Sequence, residues 1–239
     1  MLLFYVRHGD PIYNPDSLTP LGQRQAEAIA RRLALYGIDK IYSSSSTRAV
    51  LTATPTAEIL KKDITKLDFA HENLAMQDFA VPNGKGGRTW SFFRKDLAKL
   101  FVSKEIRKYG DEWYEHPMLK EFTTFKPGVE RINRETDAFL ASLGYVHDRD
   151  QCIYKITQPK YERVALFAHE GFGRCFLSSA LDMPFPQVTV HFQMSHSNLS
   201  VLEFADEGGY AIPRLLTLSN DSHIYRDGLP TNYCNRIRV

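Results

Sequence analysis

The stretch that decides the fold is Leu2-Leu3-Phe4-Tyr5-Val6-Arg7-His8-Gly9. Its five consecutive apolar residues predict a strand buried on both faces, which is typical of the parallel sheets of α/β proteins. An arginine, a histidine and a glycine follow the strand directly. Because open α/β sheets bind their ligands at the carboxyl ends of strands, the same stretch indicates where a functional site should lie.

A helix is predicted after this strand and a short loop. Thr19 is a suitable N-cap, Pro20 suits the first helical position, and Gly37 is typical of a helix end. Between them apolar residues recur at helical spacing, at Leu21, Ala26, Ile29, Ala30 and Leu33. A strand followed by a helix is the repeating unit of an α/β fold.

The rest of the chain continues this alternation. Apolar runs predict further strands over residues 38–42, 66–69, 163–168, 199–204 and 214–218. Helical spacing predicts helices over residues 47–61, 129–143 and 172–181, and we expect Pro55 to kink the first of them. The four serines at 43–46 predict a strand-to-helix turn. The predicted fold class is α/β, a three-layer α/β/α sandwich with a mostly parallel central sheet.

Length and composition favour a single domain over residues 1–239. A chain of 239 residues, of which 43% are hydrophobic, can bury one large core. Between about residues 76 and 127 the alternation gives way to glycines, aromatic residues and a helical stretch rich in lysine and arginine. We interpret this segment as an insertion.

Charge and cysteine content exclude several classes of protein. The formal net charge is only +2, so no broad cationic surface for nucleic acid or anionic lipid is expected. The three cysteines, Cys152, Cys175 and Cys234, are odd in number and far apart, which argues against a disulfide framework and a zinc knuckle. The apolar run before Arg7 is too short for a signal peptide or a membrane span. We therefore expect a cytoplasmic protein with reduced thiols.

Four side chains are expected to meet at one edge of the sheet. Arg7 and His8 follow the first strand, His169 follows the strand over 163–168, and Arg48 lies at the start of the second helix. A neutral imidazole is a good nucleophile toward phosphorus, and two guanidinium groups would keep it neutral and hold phosphoryl oxygens. Phosphoryl transfer needs mainly positioning and charge stabilisation, so we expect no metal and no cofactor.

Three motifs carry a resemblance to a known family. The first is Arg7-His8-Gly9-Asp10 after an apolar strand, followed by Leu18-Thr19-Pro20-Leu21-Gly22-Gln23-Arg24-Gln25-Ala26. The second is Tyr42-Ser43-Ser44-Ser45-Ser46-Thr47-Arg48-Ala49 with Thr52-Ala53, and the third is the strand that ends in His169-Glu170-Gly171. Together they resemble the histidine phosphatase superfamily, in particular its phosphoglycerate mutase-like branch. The third motif departs from the family pattern, which commonly has His-Gly where this chain has His169-Glu170.

The resemblance implies a role for each matched residue. His8 is the nucleophile that becomes phosphohistidine. Arg7, Arg48 and His169 are catalytic residues that bind the phosphoryl group. Asn14, six residues after His8, falls where the family often has a phosphate-contacting asparagine, and it is a lesser contact.

Two carboxyl groups compete for the role of proton donor to the leaving oxygen. Glu72 follows the third predicted strand, where this branch of the family places its acid, and it could later activate the attacking water. Glu170 directly follows His169, as the acid does in the acid phosphatase branch. We favour Glu72 because the first motif and the short first loop are similar to the mutase-like branch. Glu170 and Gly171 are placed among the substrate-binding residues.

The resemblance implies that the insertion over about residues 76–127 forms a cap over the pocket, and this segment carries the candidates for substrate recognition. Lys85 and Arg88 lie in its glycine-rich segment at 84–90 and are candidate contacts for a second anionic group of the substrate. A solvated surface loop is an equally good interpretation of the same composition. The expected partner is a small phosphorylated metabolite, and a homodimer is left open.

A phosphomonoester hydrolase is favoured over other functions. The same residues would serve a phosphoglycerate mutase-like phosphotransferase, but only residues 11–17 separate the first motif from the helix, fewer than mutases of the family have. A non-catalytic phosphate-binding module needs neither a nucleophile nor an acid. No GxGxxG or Walker pattern follows a strand, which argues against a nucleotide-binding dehydrogenase.

Overall fold

The computed structural model describes residues 1–158, 161–233 and 235. The chain divides into two compact units, one made of Met1–His71, Pro159–Glu170 and Met194–Val239 and the other of Glu72–Gln158 and Gly171–Gln193. Cys234 lies outside the described residues. The single domain over 1–239 stays a prediction.

Helices and strands alternate through most of the chain. The first elements are β1 (Leu2–Arg7), β2 (Pro11–Tyr13), β3 (Asp16–Leu18), α1 (Pro20–Tyr36), β4 (Lys40–Ser44), α2 (Thr47–Leu60) and β5 (Ile64–Leu67). There follow α3 (Glu72–Phe79), β6 (Ala80–Pro82), β7 (Arg88–Trp90), α4 (Lys95–Phe101), α5 (Phe125–Ser142), β8 (Tyr145–Asp148) and β9 (Ile153–Ile156). The last elements are β10 (Arg163–Ala168), α6 (Glu170–Ala180), α7 (Phe185–His191), β11 (Leu199–Glu203), β12 (Tyr210–Ala211), β13 (Arg214–Asn220) and α8 (Ser222–Arg226).

The centre of the first unit is a six-stranded sheet in the order β13-β11-β1-β10-β4-β5. β1 is parallel to β10, β10 to β4, and β4 to β5. β11 is antiparallel to both of its neighbours, β1 and β13. The predicted α/β class with a mostly parallel central sheet is confirmed.

One face of this sheet packs against α1 and α2. The contact is made by apolar side chains of the strands and of both helices, namely Phe4, Val6, Ile29, Leu33, Ile38, Ile41, Ala53, Ala57, Ala165, Phe167, Leu199 and Val201. Leu3, Tyr5 and Leu166, which alternate with them along the strands, are also fully buried. Burying a large apolar side chain contributes about 1.5–3 kcal/mol, so this packing fixes the strands whose ends carry the site.

The sequence signals for α1 are confirmed. The hydroxyl of Thr19 accepts the amide of Gly22, and Pro20 takes the first helical position. Gly37 ends the helix in the left-handed conformation, where its amide donates to the carbonyls of Leu33 and Ala34.

Some predicted boundaries are wrong by two residues. The strand predicted over 38–42 is β4 at Lys40–Ser44, because the loop after α1 extends through Asp39, whose amide donates to the carbonyl of Arg163. Ser43 and Ser44, predicted in a turn, belong to this strand and pair with β10 and β5. The strand predicted over 66–69 is β5, two residues earlier. Further elements were not predicted, namely β2, β3, α3, β6, β7, β8, β9, β12, α7 and α8.

The second unit contains α3 to α5, α7, most of α6 and two antiparallel hairpins, β6–β7 and β8–β9. Its core is aromatic, with the ring of Trp113 stacked on that of Phe185 at a centroid distance of 4.7 Å. This unit begins at Glu72 and extends beyond the insertion predicted over 76–127. Among the helices of the described residues, none combines the length and apolar character needed to cross a bilayer.

Two glycines lock the loop after β1 onto the start of α1. A Cβ on Gly9 would lie 2.6 Å from the carbonyl oxygen of Gly22, and a Cβ on Gly22 would lie 2.2 Å from the carbonyl oxygen of Asp10. Both distances are far below van der Waals contact, and both involve backbone atoms that a rotamer change cannot move. Only glycine therefore fits at either position.

We predict that Gly22→Ala destabilises the chain although alanine favours helices. The clash with the Asp10 carbonyl should lower the free energy of unfolding by about 1–3 kcal/mol, measured by urea denaturation. Gln23→Ala, at the next and exposed position of α1, is the control and should change it by less than about 0.5 kcal/mol. Equal stability of the two variants would contradict the prediction.

Candidate functional site

The carboxyl ends of β1, β4 and β10 lie at the same edge of the sheet because the three strands are parallel. Arg7 ends β1 and His8 follows it, Ser44 ends β4, and His169 follows β10. All four side chains are buried. The edge that the sequence indicates as a ligand site is thus lined by groups from three neighbouring strands.

His8 is held in one tautomer. Its Nδ1 lies 2.7 Å from the carbonyl oxygen of Gly9, and Nδ1 carries the hydrogen because a carbonyl oxygen only accepts. Nε2 of the neutral ring therefore has a lone pair, which accepts from Nε of Arg48 at 3.3 Å. Gly9 is fixed in turn, since its amide donates to Oγ1 of Thr52 at 3.0 Å. The backbone thus decides which nitrogen of His8 can act as a nucleophile.

His169 places a second imidazole beside the first. The centroids of the rings of His8 and His169 are 5.1 Å apart. Nη2 of Arg48 lies 3.2 Å from Nδ1 of His169, which must accept because a guanidinium only donates. Nε2 then carries the hydrogen and lies 2.8 Å from Oγ of Ser44 and 3.2 Å from Oγ of Ser46. The serine run therefore supplies the hydroxyls that orient this ring.

Arg48 connects the two rings and is itself held by a residue that the sequence analysis missed, Asp16. Nη1 of Arg48 donates to Oδ1 of Asp16 at 2.7 Å. Oδ2 of Asp16 accepts the amide of Thr47 at 2.8 Å, at the start of α2, where a carboxylate is favourable. Asp16 lies in β3, a strand that no apolar pattern indicates.

Arg7 is anchored by three neighbours. Nη1 donates to Oε2 of Glu170 at 2.8 Å and to the carbonyl of Met194 at 2.6 Å. Nη2 lies 2.7 Å from Nε2 of His196. Nε is buried and has no hydrogen-bond partner within the described residues. Arg7 therefore keeps an N–H group for a further acceptor.

The environment lowers the pKa of both His8 and His169 well below the usual value of 6.5. Burial is the largest cause for each ring. For His8 the next causes are His169 and Arg7, and for His169 the next is Arg48, because a nearby cation disfavours the imidazolium. Both rings are therefore neutral at neutral pH, as a histidine nucleophile requires.

His196 is a third imidazole that the sequence analysis missed. It lies between α7 and β11, and its ring centroid is 5.5 Å from that of His8. Burial, followed by Arg7 and Arg48, lowers its pKa to about 3. The one available signal was its place just before a predicted strand: β11 is antiparallel to β1, so β11 begins where β1 ends.

Asn14 does not join this group. It lies in the exposed turn between β2 and β3, and among the described residues no hydrogen bond links it to Arg7, His8, Arg48 or His169. Its predicted role as a lesser phosphate contact stays a prediction.

Four of the predicted residues, Glu72, Lys85, Arg88 and Gly171, belong to the second unit. Glu72 begins α3, and its carboxylate accepts the amides of Gly171 and Phe172 at 3.0 and 2.9 Å. Lys85 is exposed, and no hydrogen bond or ion pair ties its ammonium group to the described residues. Nη2 of Arg88 donates to the carbonyl of Ala80 at 2.5 Å, so this guanidinium is partly committed to its own hairpin.

The group formed by Arg7, His8, Arg48 and His169 can bind and react with a small tetrahedral anion. Nε2 of His8 carries a lone pair, and the two guanidinium groups favour negative charge next to it. The Nε2–H of His169 faces the hydroxyls of two serines, while its Nδ1 accepts from Arg48. This ring therefore orients the guanidinium of Arg48. Such an arrangement suits phosphoryl transfer to an imidazole nitrogen.

Comparison with known proteins identifies similar chains. Residues 3–75, which hold the first two motifs, match the model of the histidine phosphatase superfamily (branch 1). A provisionally named phosphoserine phosphatase 2 of Hydrogenobacter thermophilus is 25% identical over 180 residues, which cover 71% of this chain and 73% of that protein.

Solved structures share the fold at low identity. The phosphoserine phosphatase of Entamoeba histolytica, in complex with 3-phosphoglyceric acid, has 18% identity and a TM-score of 0.57 over 93% of this chain and 98% of that one. A mycobacterial glucosyl-3-phosphoglycerate phosphatase in complex with VO3 has 16% identity and a TM-score of 0.57 over 92% and 99%.

We predict that neutral His196 makes the fold sensitive to acid. Its pKa is about 3 in the folded chain and near 6.5 in the unfolded chain, so below pH 6.5 the unfolded chain binds a proton that the folded chain does not. Its stabilising contribution is complete above pH 6.5 and is lost toward pH 3, by up to about 1.4 kcal/mol per pH unit. His196→Gln should therefore flatten the fall in unfolding free energy between pH 6.5 and 4, measured by urea denaturation.

His191→Gln is the matched control for this experiment. The ring of His191 is exposed in the folded chain, so its removal should leave the slope of stability against pH unchanged. If the profiles of His196→Gln and wild type run parallel, the assigned protonation of His196 is wrong.

Proposed function

Because residues 3–75 match the model of the histidine phosphatase superfamily (branch 1), we propose that this chain hydrolyses phosphomonoesters through a phosphohistidine formed on His8. The observation that carries the proposal is the fixed tautomer of His8. Its Nδ1–H is committed to the Gly9 carbonyl, so Nε2 bears the lone pair, and this nitrogen lies against Arg48.

In the first step Nε2 of His8 attacks phosphorus in line with the ester oxygen. The N–P bond forms while the P–O bond to the leaving group breaks, and the leaving oxygen takes a proton from a carboxylic acid. The phosphoryl group replaces Arg48 as the partner of the Nε2 lone pair, which frees the Nε–H of Arg48 for a phosphoryl oxygen. The Gly9 carbonyl continues to accept from Nδ1 and so stabilises the positive charge of the phosphohistidine ring.

In the second step water attacks the same phosphorus and gives a proton to the carboxylate that protonated the leaving oxygen, which restores the acid. The N–P bond breaks, orthophosphate is released, and His8 recovers its lone pair on Nε2. Arg7 and Arg48 stabilise the negative charge on the phosphoryl oxygens in both steps.

We assign the proton donor to Glu72 rather than to Glu170. Glu170 forms an ion pair with Arg7 at 2.8 Å, so its carboxylate is engaged in holding that guanidinium. The carboxylate of Glu72 accepts two backbone amides, which fixes its orientation. Its place after β5 matches the acid of the mutase-like branch.

We propose a small phosphorylated metabolite with a second anionic group as the substrate. Phosphoserine phosphatase and glucosyl-3-phosphoglycerate phosphatase, the names of similar proteins, both denote substrates that carry a carboxylate besides the phosphate. Lys85, whose ammonium group has no partner among the described residues, is the better of the two candidate contacts for that carboxylate. The cytoplasmic location indicated by the cysteine pattern is part of the same proposal.

We predict that His8→Ala lowers kcat for p-nitrophenyl phosphate at least about 1,000-fold, because no other group can form the covalent intermediate. The assay is run with a chelator present and no added metal. Wild type that is quenched during turnover of a ³²P-labelled substrate should retain label in a bond that is labile in acid and stable in alkali. His191→Gln, which changes an exposed ring, should keep both the activity and the label. Equal rates for His8→Ala and wild type would leave a binding module as the better interpretation.

We predict that Glu72→Gln and Glu170→Gln respond differently to the leaving group. Loss of the proton donor should lower the rate for phosphoserine about 100-fold more than the rate for p-nitrophenyl phosphate, whose leaving group needs no proton. Glu170→Gln should lower both rates by a similar factor, because it acts through Arg7. Should Glu170→Gln be the leaving-group-dependent variant, the assignment of the acid is reversed.

A further inference from the structure

The donors of Arg7 can be counted. A guanidinium has five N–H donors. The two N–H groups of Nη1 donate to the carboxylate of Glu170 and to the carbonyl of Met194, and one N–H of Nη2 donates to Nε2 of His196. The buried Nε–H has no acceptor within the described residues. The second hydrogen of Nη2 is not used in any hydrogen bond of the described residues, in which Nη2 contacts only His196. Arg7 is therefore held by three neighbours and keeps two N–H donors that could serve an anion.

The tautomer of His196 follows from its neighbours. Nε2 must accept because Arg7 only donates, so Nδ1 carries the hydrogen. Oδ1 of Asp10 lies 3.5 Å from Nδ1, and a carboxylate facing this nitrogen favours the same tautomer. Oδ2 of Asp10 accepts from Oγ1 of Thr19 at 2.7 Å, and the amide of Asp10 donates to Oε1 of Gln25 at 2.8 Å. The start of α1 thus fixes Asp10, and Asp10 faces the N–H of His196.

We propose that His196 is a positioning residue that aims Arg7 at the phosphoryl group. His196 accepts from Nη2 and so fixes the orientation of the guanidinium. Nε–H and the remaining hydrogen of Nη2 are then the pair of donors for two phosphoryl oxygens. Asp10 and Thr19 keep His196 in the accepting tautomer. The inference rests on the proposed function, because it assigns Arg7 to phosphoryl binding.

A neutral acceptor has an advantage at this position. Glu170 already pairs with Arg7, and a second carboxylate in place of His196 would cancel the charge that Arg7 offers to a phosphate. A neutral imidazole fixes the guanidinium without adding negative charge. Burial and the two arginines hold the pKa of His196 at about 3, so the ring remains a neutral acceptor at neutral pH.

The test compares His196→Gln with His196→Asn. The amide oxygen of glutamine can reach the place of Nε2, whereas the shorter asparagine reaches only that of Nδ1 and leaves Arg7 without its acceptor. We expect His196→Asn to weaken the binding of inorganic phosphate, measured by calorimetry, and to lower kcat/KM for p-nitrophenyl phosphate about 10- to 100-fold. His196→Gln should recover both to within about threefold of wild type. The unfolding midpoints of both variants, measured at pH 7.5, separate these effects from loss of structure.

A double-mutant cycle with Arg7→Ala tests whether His196 affects phosphate binding through Arg7. If His196 acts through Arg7, the glutamine and asparagine variants should bind inorganic phosphate equally weakly once Arg7 is alanine. Equal phosphate affinities of the two His196 variants in the presence of Arg7, or a difference that persists without Arg7, would overturn the proposal. Phosphate binding decides this question even if His8→Ala and wild type hydrolyse p-nitrophenyl phosphate equally, which would contradict the proposed function instead.

Discussion

The contact of one guanidinium with two imidazole rings is the constraint on which the site depends. Arg48 donates to Nε2 of His8 and to Nδ1 of His169, so both nitrogens must be unprotonated. The hydrogens are then confined to the opposite nitrogens, where the Gly9 carbonyl and the serine hydroxyls accept them. A single buried cation thus sets the protonation state of both rings and leaves His8 ready to react.

The parallel sheet supplies the precision that this contact needs. β1 and β10 are hydrogen-bonded neighbours, and their last residues, Arg7 and Ala168, are register partners. His8 and His169, the residues that directly follow the two strands, are therefore brought side by side by this backbone pairing, which the amide of His8 continues by donating to the carbonyl of Ala168. Residues anchored directly at the ends of paired strands are held in place by the sheet, which favours a site that must hold reacting atoms in position.

Much of the fold and the centre of the site could be predicted from the sequence, because they depend on local patterns. The apolar run of β1 and the capping signals of α1 reflect burial and backbone geometry, which act over a few residues. His196 and Asp16 could not be predicted in this way. Each lies in a segment without apolar periodicity, and each has its role only through residues far away in the chain, Arg7 for His196 and Arg48 for Asp16.

The pairing of Arg7 with Glu170 and of Arg48 with Asp16 affects how ligands arrive. Each guanidinium is nearly neutralised by its own carboxylate, so these four groups together create only a weak electric field at long range. Such a weak field does little to accelerate the association of an anionic ligand. The rate of association should therefore depend only slightly on ionic strength. Discrimination among anions then depends on short-range hydrogen bonds from Arg7 and Arg48, whose fixed donors can distinguish a tetrahedral anion from a planar one.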